Sequence, residues 1–387
     1  MRGEMFRRTV TAGDAQIGEQ LAPHVQEPEP PAQPGGLEAR RVRRGPLRRW
    51  SVMTETTYLD SLEVERIDHG HDDLTVVNAA RVSNSKRVSR IVTKDSPREH
   101  RAERELQGIK LDDGLIGYLA RMGHWTPFAH CRFGFAFVLP LDFDWTAWLN
   151  WSGEERRRAG FVYRLESHED GVVVRMTGSL LGWMTANVPL PGPILGAIHD
   201  AIEAQCPISY DALTPGDPPV FDEVADVARL DSDSITFRIQ APIVVFRQLM
   251  RSNVGIVYNE TSRRYVDDEP TIFEPDEWRA RPPKSMKQGS GEPLDPMIQA
   301  RVDERVSLHN LNSVALYDDL LSMGVAPEMA RFPLPQTMNS ELWMTATHDA
   351  IRRILGLRLG KDGKNHPQRE IVELAEAVAR LCPEISS

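Results

Sequence analysis

At residues 234–251 the apolar period of the chain changes. SITFRIQAP alternates through Ile235, Phe237 and Ile239, the pattern of a strand with one buried face. Pro242 suits the first turn of a helix, where its missing N–H needs no partner, and APIVVFRQLMR continues at helical spacing. The mixture recurs along the chain. LEVERIDHG alternates like a strand, and CRFGFAFVL does so through Phe133, Phe135 and Phe137, which predicts a half-buried strand. GVVVRMTGSLLGWM reads as a strand and then a short helix. DDLTVVNAARVSNSK is helical up to Ala79 and Val82, and LDDGLIGYLARMGHWTPFAH is a helix ended by Gly123. VDERVSLHNLNSVALYDDLLSMG, ATHDAIRRILGLRLG and REIVELAEAVARLC predict three more helices. The sum is an α+β chain.

Residues 1–52 are of another kind. They hold six prolines and nine arginines against six acids, with no apolar periodicity, and are expected to be a disordered extension. They lack the apolar stretch of a secretory signal and have too many acids for a transit peptide. Met53 is an alternative start of translation. The arginine cluster at 40–49 reads as a solvated tail rather than a nucleic-acid arm. The formal net charge of −10 speaks against wholesale binding to nucleic acid or an anionic membrane, so any basic site is local. No run is apolar and long enough to span a membrane. Three dispersed cysteines suggest neither a disulfide framework nor a zinc site, and fit a reducing cytoplasm. Trp145, Trp148 and Trp151 recur every third residue, which suits core packing or a subunit contact better than a stacking platform.

The chemistry is concentrated at 247–265, RQLMRSNVGIVYNETSRRY. On a helix, Gln248 and Arg251 share a face. Arginine suits phosphate because its planar fork binds two oxygens and stays charged when desolvated. Arg331 in MARFPLP and Arg358 in LGLRLG stand among apolar neighbours. A buried arginine is costly unless paired, so each meets a carboxylate of the fold or an anionic ligand. These residues support a phosphorylated small-molecule site without naming a reaction. No Gly-rich dinucleotide motif, P-loop or nucleophile elbow is present.

The order of segments resembles the flavin-dependent thymidylate synthase (ThyX) family. The resemblance is carried by Ala79-Ala80-Arg81-Val82-Ser83, by the turn from His124 through Thr126 and Pro127 to His130, and by Arg247-Gln248-Leu249-Met250-Arg251 with Asn259-Glu260-Thr261-Ser262-Arg263-Arg264-Tyr265. Lys287-Gln288-Gly289-Ser290, Ala330-Arg331-Phe332-Pro333-Leu334-Pro335, Leu355-Gly356-Leu357-Arg358 and His366 to Ile371 continue it. It implies a central antiparallel sheet packed with long helices, in a homotetramer with sites at subunit interfaces. The implied reaction is reductive methylation of dUMP to dTMP. Methylenetetrahydrofolate gives the carbon, and FAD reduced by NADPH gives the hydride. The implied dUMP set is Gln248, Arg251, Glu260, Ser262, Arg264, Arg331 and Arg358, with Arg358 catalytic at the uracil ring. The implied FAD set is Ser83, Thr126, Arg251, Ser252, Asn253, Glu260 and Arg353.

The departures lie on the flavin side. Ser252 and Asn253 replace a histidine and an arginine of the family pattern. Ala129 replaces a glutamate, and Arg353 an asparagine. The catalytic domain spans 53–387, with an insertion at about 139–232. Two alternatives stand beside the synthase. One is a relative that modifies another pyrimidine nucleotide at C5, for example by hydroxymethylation. The other is a nucleotide-binding homologue without flavin chemistry.

Overall fold

The computed structural model describes residues 58–59, 62–151, 160–216, 221, 225–266, 268–284, 289–359 and 366–386. The extension 1–52, the alternative start at Met53, and Lys287 and Gln288 lie outside the described residues. The strands are β1 (Tyr58–Leu59), β2 (Glu63–Ile67), β3 (Arg132–Pro140), β4 (Val162–His168), β5 (Gly171–Ser179), β6 (Ala228–Leu230), β7 (Ser234–Pro242), β8 (Ile256–Glu260), β9 (Ile272–Phe273) and β10 (Asn339–Thr347). Among the helices are α1 (Asp73–Arg81), α2 (Arg98–Leu106), α3 (Asp112–Arg121), α4 (Thr126–Ala129), α5 (Trp145–Asn150), α6 (Leu180–Thr185), α7 (Gly192–Gln205), α8 (Pro207–Leu213) and α9 (Ile243–Leu249). They continue with α10 (Pro296–Ser322), α11 (Pro327–Ala330), α12 (His348–Arg358) and α13 (Arg369–Leu381). No described helix is long and apolar enough to cross a membrane.

In place of one central sheet there are two antiparallel sheets of four strands, ordered β2-β7-β10-β8 and β4-β5-β3-β6; β1 and β9 make a short parallel pair. β7 pairs with β10 over nine residues, Ser234 facing Thr347 and Pro242 facing Asn339. Strand β10 was not foreseen, although Leu342, Met344 and Ala346 alternate along it. The intervening Trp343 and Thr345 are also buried, so the polar half of the alternation is missing. The half-buried reading of β3 holds over its second half, where Phe135, Phe137 and Leu139 are buried and Val138 and Pro140 exposed. Over its first half the polar side is covered as well: Arg132 lies beneath the surface with Phe133, held by Asp233 and Gly160 O.

Each sheet serves its own core. The inner face of β7 and β10 (Phe237, Ile239, Leu342, Met344) packs on Phe246 of α9, Ile351 and Ile354 of α12, and Leu374 and Val378 of α13. The second core joins Val76, Val77, Ile116 and Phe128 to residues of 139–232. Trp148 packs there edge-on against Tyr163 and Trp151 at a tilt against Phe161, as the packing reading of the tryptophans expects.

Buried polar groups bind that second core together. Asp73 accepts from Ile208 N, Ser209 N and Ser209 Oγ at 2.9, 2.8 and 2.5 Å, capping the first turn of α8 from a distant helix. Asp112, wholly buried, takes Arg81 at 2.5 Å and Arg104 at 3.1 Å. Arg132 grips Asp233 at 2.9 and 3.0 Å. Cys131 and Cys206 bring their sulfurs to 3.7 Å, both buried.

A polar seam lines the opposite face of β7 and β10. His69 Nε2 meets Thr236 Oγ1 at 2.6 Å, Thr236 meets Thr345 across the strands at 2.6 Å, and Thr345 meets His130 Nδ1 at 2.7 Å. Burial holds all of the nearby imidazoles neutral, pulling His69 down to about 4 and His71 and His130 to about 3.

Candidate functional site

Helix α9 leaves β7 at Pro242, where the chain still has extended dihedrals. It lasts two turns and ends at Leu249, so Gln248 and Arg251 do not share a helix face as expected. Arg251 stands instead in the turn that follows. Tyr258 shapes that turn, its hydroxyl lying 2.7 Å from Ser252 O and 3.2 Å from Leu249 O. Gly255 closes it with φ +73°, where a Cβ would come within 2.7 Å of Thr347 Oγ1.

Gln248, Arg251 and Arg358 line one cavity of about 950 Å³, with Trp278, Arg279 and Glu370. Gln248 donates through Nε2 to Gln368 Oε1 at 2.5 Å. Arg358, the last residue of α12, donates through Nη2 to Gln248 O at 2.8 Å, at the C-terminal end of α9 where cations are favoured. Its Nε is buried without a hydrogen-bond partner. Burial and the nearby Arg251 cation push the Arg358 guanidinium below its ordinary value, against a smaller opposing pull from Tyr258. Among the described residues no carboxylate forms an ion pair with Arg251 or Arg358. Arg279 is held by Glu370 Oε1 at 2.6 Å and by Ser290 Oγ at 2.9 Å.

The other expected nucleotide residues do not line this cavity. Glu260 ends β8, and burial pushes its carboxyl up, opposed by Ser340, Arg331 and Arg247. Ser262 N donates to Ser83 O at 3.2 Å, Thr261 Oγ1 to Val82 O at 3.0 Å, and Asn259 Nδ2 to Ala79 O at 2.7 Å. Two sequence segments 180 residues apart thus meet at the end of β8. Arg264 leans on Ser262 Oγ at 3.4 Å and over the Tyr265 ring. Arg331 caps the C-terminal end of the short α11 and is exposed despite its apolar flanks, as is Phe332 beside it; its Nε reaches Glu328 O at 3.3 Å.

The expected flavin residues also fall in two places. Ser83 and Glu260 meet through Ser83 Oγ and Glu260 O at 3.4 Å, and the exposed Thr126 opens α4, which packs near β8. Ser252 and Asn253 occupy the turn before β8, and Arg353 donates there to Val254 O. Sequence reasoning missed Tyr258, Arg279 and Glu370. Glu370 stood in the His366–Ile371 segment of the resemblance without a role in the site, its arginine partner lying 91 residues away.

Comparison with known proteins follows the same segments. The family described as thymidylate synthase complementing protein matches residues 66–144 and 230–386, passing over 145–229. The flavin-dependent thymidylate synthase of Streptomyces coelicolor is 34% identical over 166 residues, 40% of this chain and 65% of that protein. That of Tropheryma whipplei is 31% identical over 156 residues, 38% of this chain and 62% of its own. The chain thus spans just under two thirds of these relatives. Among solved structures, a UMP/dUMP methylase, PolB from Streptomyces cacaoi, bound with 5-Br UMP, aligns at 20% identity and a TM-score of 0.40, over 86% of this chain and 94% of its own.

Proposed function

We propose, from the premise that this chain belongs to the thymidylate synthase complementing protein family, that it methylates dUMP at C5 as a flavin-dependent thymidylate synthase. The observation that carries this reading is the pair Arg251 and Arg358. Two guanidiniums line one cavity, Arg358 is pulled down by burial and by its neighbour, and its Nε has no partner. Such a cavity is completed by an anion and by an acceptor. A pyrimidine nucleotide brings both, a phosphate and ring carbonyls.

The roles divide accordingly. Gln248 and Arg251 orient the nucleotide. Arg358 sets a positive charge against the ring, where it stabilises the negative charge that develops as C5 becomes nucleophilic. No cysteine lines the cavity, and burial pushes the Cys131 thiol up, so a thiolate attack on the ring finds no reagent there. Glu260, Ser262, Arg264 and Arg331 reach a nucleotide if a second copy of the chain brings them to the cavity, as in a homotetramer. Helix α10 suits such a contact. Over 27 residues it buries only Asn310, Ser313, Val314 and Tyr317, and it exposes Leu308, Leu311 and Leu316.

The residues present fit a flavin. The neutral Ser252 and Asn253 stand beside a cation after all, because Arg353 lays its guanidinium on the carbonyl of Val254. Ser83 and Thr126 add hydroxyl donors, and Glu260 an acceptor. When bound, FAD supplies the hydride after reduction by NADPH, and methylenetetrahydrofolate supplies the carbon. The seat of the activity is taken to be the cytoplasm.

The experiment is tritium release from [5-³H]dUMP with methylenetetrahydrofolate, FAD and NADPH, together with formation of dTMP. Release with dTMP is the expected result. Release from a cytosine nucleotide instead, or a purified protein that takes up no flavin colour, overturns the reading.

A further inference from the structure

One cavity side chain has no part in the chemistry so far. Glu370 is the second residue of α13 and is 6% exposed. Its Oε1 is held by Arg279 Nη2 at 2.6 Å, and Arg279 is fixed in turn by Ser290. Its Oε2 is buried and has no hydrogen bond of ordinary geometry. Burial pushes the carboxyl up, but hydrogen bonds from Arg279, its own backbone N–H and Gln368 outweigh this and hold it below the usual range. The group is therefore an ionised acceptor whose Oε2, unlike Oε1, has no well-placed donor of the fold.

Arg358 Nε, on the same cavity, is its mirror: a buried donor with none to receive it. An acceptor and a donor without partners, on two residues that line one cavity, describe a ligand edge with the reverse pattern. A phosphate cannot satisfy Glu370, because both are anionic. The donors left on a pyrimidine nucleotide are the sugar hydroxyls and N–H groups of the base. Uracil joined to a sugar keeps a single N–H, at N3, with a carbonyl on each side.

We propose that Glu370 Oε2 accepts a hydrogen bond from N3–H of the uracil ring while Arg358 Nε donates to an adjacent ring carbonyl, so that Glu370 is a specificity-determining residue for uracil nucleotides. The proposal rests on the reading of the cavity as a pyrimidine-nucleotide site. A base without a hydrogen on N3 turns a lone pair toward the carboxylate and is rejected.

Calorimetric titration of the full chain tests it with four ligands: dUMP, N3-methyl-dUMP, 2′,3′-dideoxyuridine monophosphate and deoxyribose 5-phosphate. Methylation at N3 is expected to weaken binding to the unmutated protein about 10- to 100-fold, the range of a hydrogen bond to a charged group. Glu370→Gln is expected to weaken dUMP by a similar factor and to leave deoxyribose 5-phosphate unchanged. An equal loss of both ligands in the variant makes Glu370 a holder of Arg279 only and overturns the proposal. So does unmutated protein that binds N3-methyl-dUMP as well as dUMP, or that loses affinity for the dideoxy ligand instead. If Glu370→Gln does not fold, as judged by circular dichroism, the arms on the unmutated protein decide. Unmutated protein that binds dUMP no better than deoxyribose 5-phosphate brings down the pyrimidine-site reading as well. Tight dUMP binding that the variant shares brings down only the assignment of Glu370.

Discussion

Arg104 is buried and Arg358 half-buried, yet they are treated in opposite ways. In the half built on β3 and β5, Arg81 and Arg104 converge on Asp112, and Arg132 on Asp233. In the half built on β7 and β10, Arg251 and Arg358 share a cavity and no described carboxylate pairs with either. Neutralised arginines hold a fold together, and uncompensated ones wait for something that is not part of the fold. Composition cannot make this distinction. It depends on which acid lies within reach in space.

The largest effect expected concerns the seam of histidines and threonines on the outer face of β7 and β10. The unfolded chain takes up protons at these imidazoles near pH 6.5, whereas the folded protein holds His69 neutral to about 4 and His71 and His130 to about 3. Stability is then complete above pH 6.5 and drains as the pH falls from 6.5 toward 4 and 3, by several kcal/mol for the three together. Urea titrations across that range check it. Loss of one half's structure before the other's would show that the two halves are separable. Next is Asp112→Ala, which leaves two buried arginines without their acid. It should cost about 3–5 kcal/mol of unfolding free energy while dUMP affinity at low temperature stays intact. Smallest is Arg358→Gln, expected to lower tritium release about 10²- to 10³-fold, roughly 2.7–4 kcal/mol of barrier, with stability little changed. If Arg358→Gln unfolds the protein and Asp112→Ala abolishes nucleotide binding instead, the contrast between the halves fails.

Much of this contrast was legible in the sequence, but unevenly. Long periodic segments announced themselves: α10, α12 and α13 lie where the helical spacing puts them, and β5 and β7 where the alternation does. β10 hid because both its faces are covered, and the single expected sheet became two because β4, β5 and β6 of the 139–232 region join β3. Helices α7 and α8 went unread in the same region. The site was legible as a set of residue types at 247–265. Its grouping was not. Gln248, Arg251 and Arg358 come together, whereas Glu260 and Ser262 turn toward Ser83, because β8 carries the chain away from the turn after α9. The pairing of Glu370 with Arg279 stayed invisible because a salt bridge across 91 residues leaves no local pattern.

The two sheets also differ in when they can be completed. All four strands of β4-β5-β3-β6 lie between residues 132 and 230, with β4 and β5 joined by a short hairpin and α6, α7 and α8 lying between β5 and β6. In the other sheet, β10 sits between β7 and β8 but enters the chain only at residue 339, after α10 and α11. As the polypeptide leaves the ribosome, the first ladder has every partner it needs about a hundred residues before the second does. Until then β7 and β8 keep open edges, and pairing them demands closure of a long loop, a slow step. The sheet that completes early is thus the one whose arginines are paired within the fold, and the cavity that gathers Arg251 and Arg358 is assembled last.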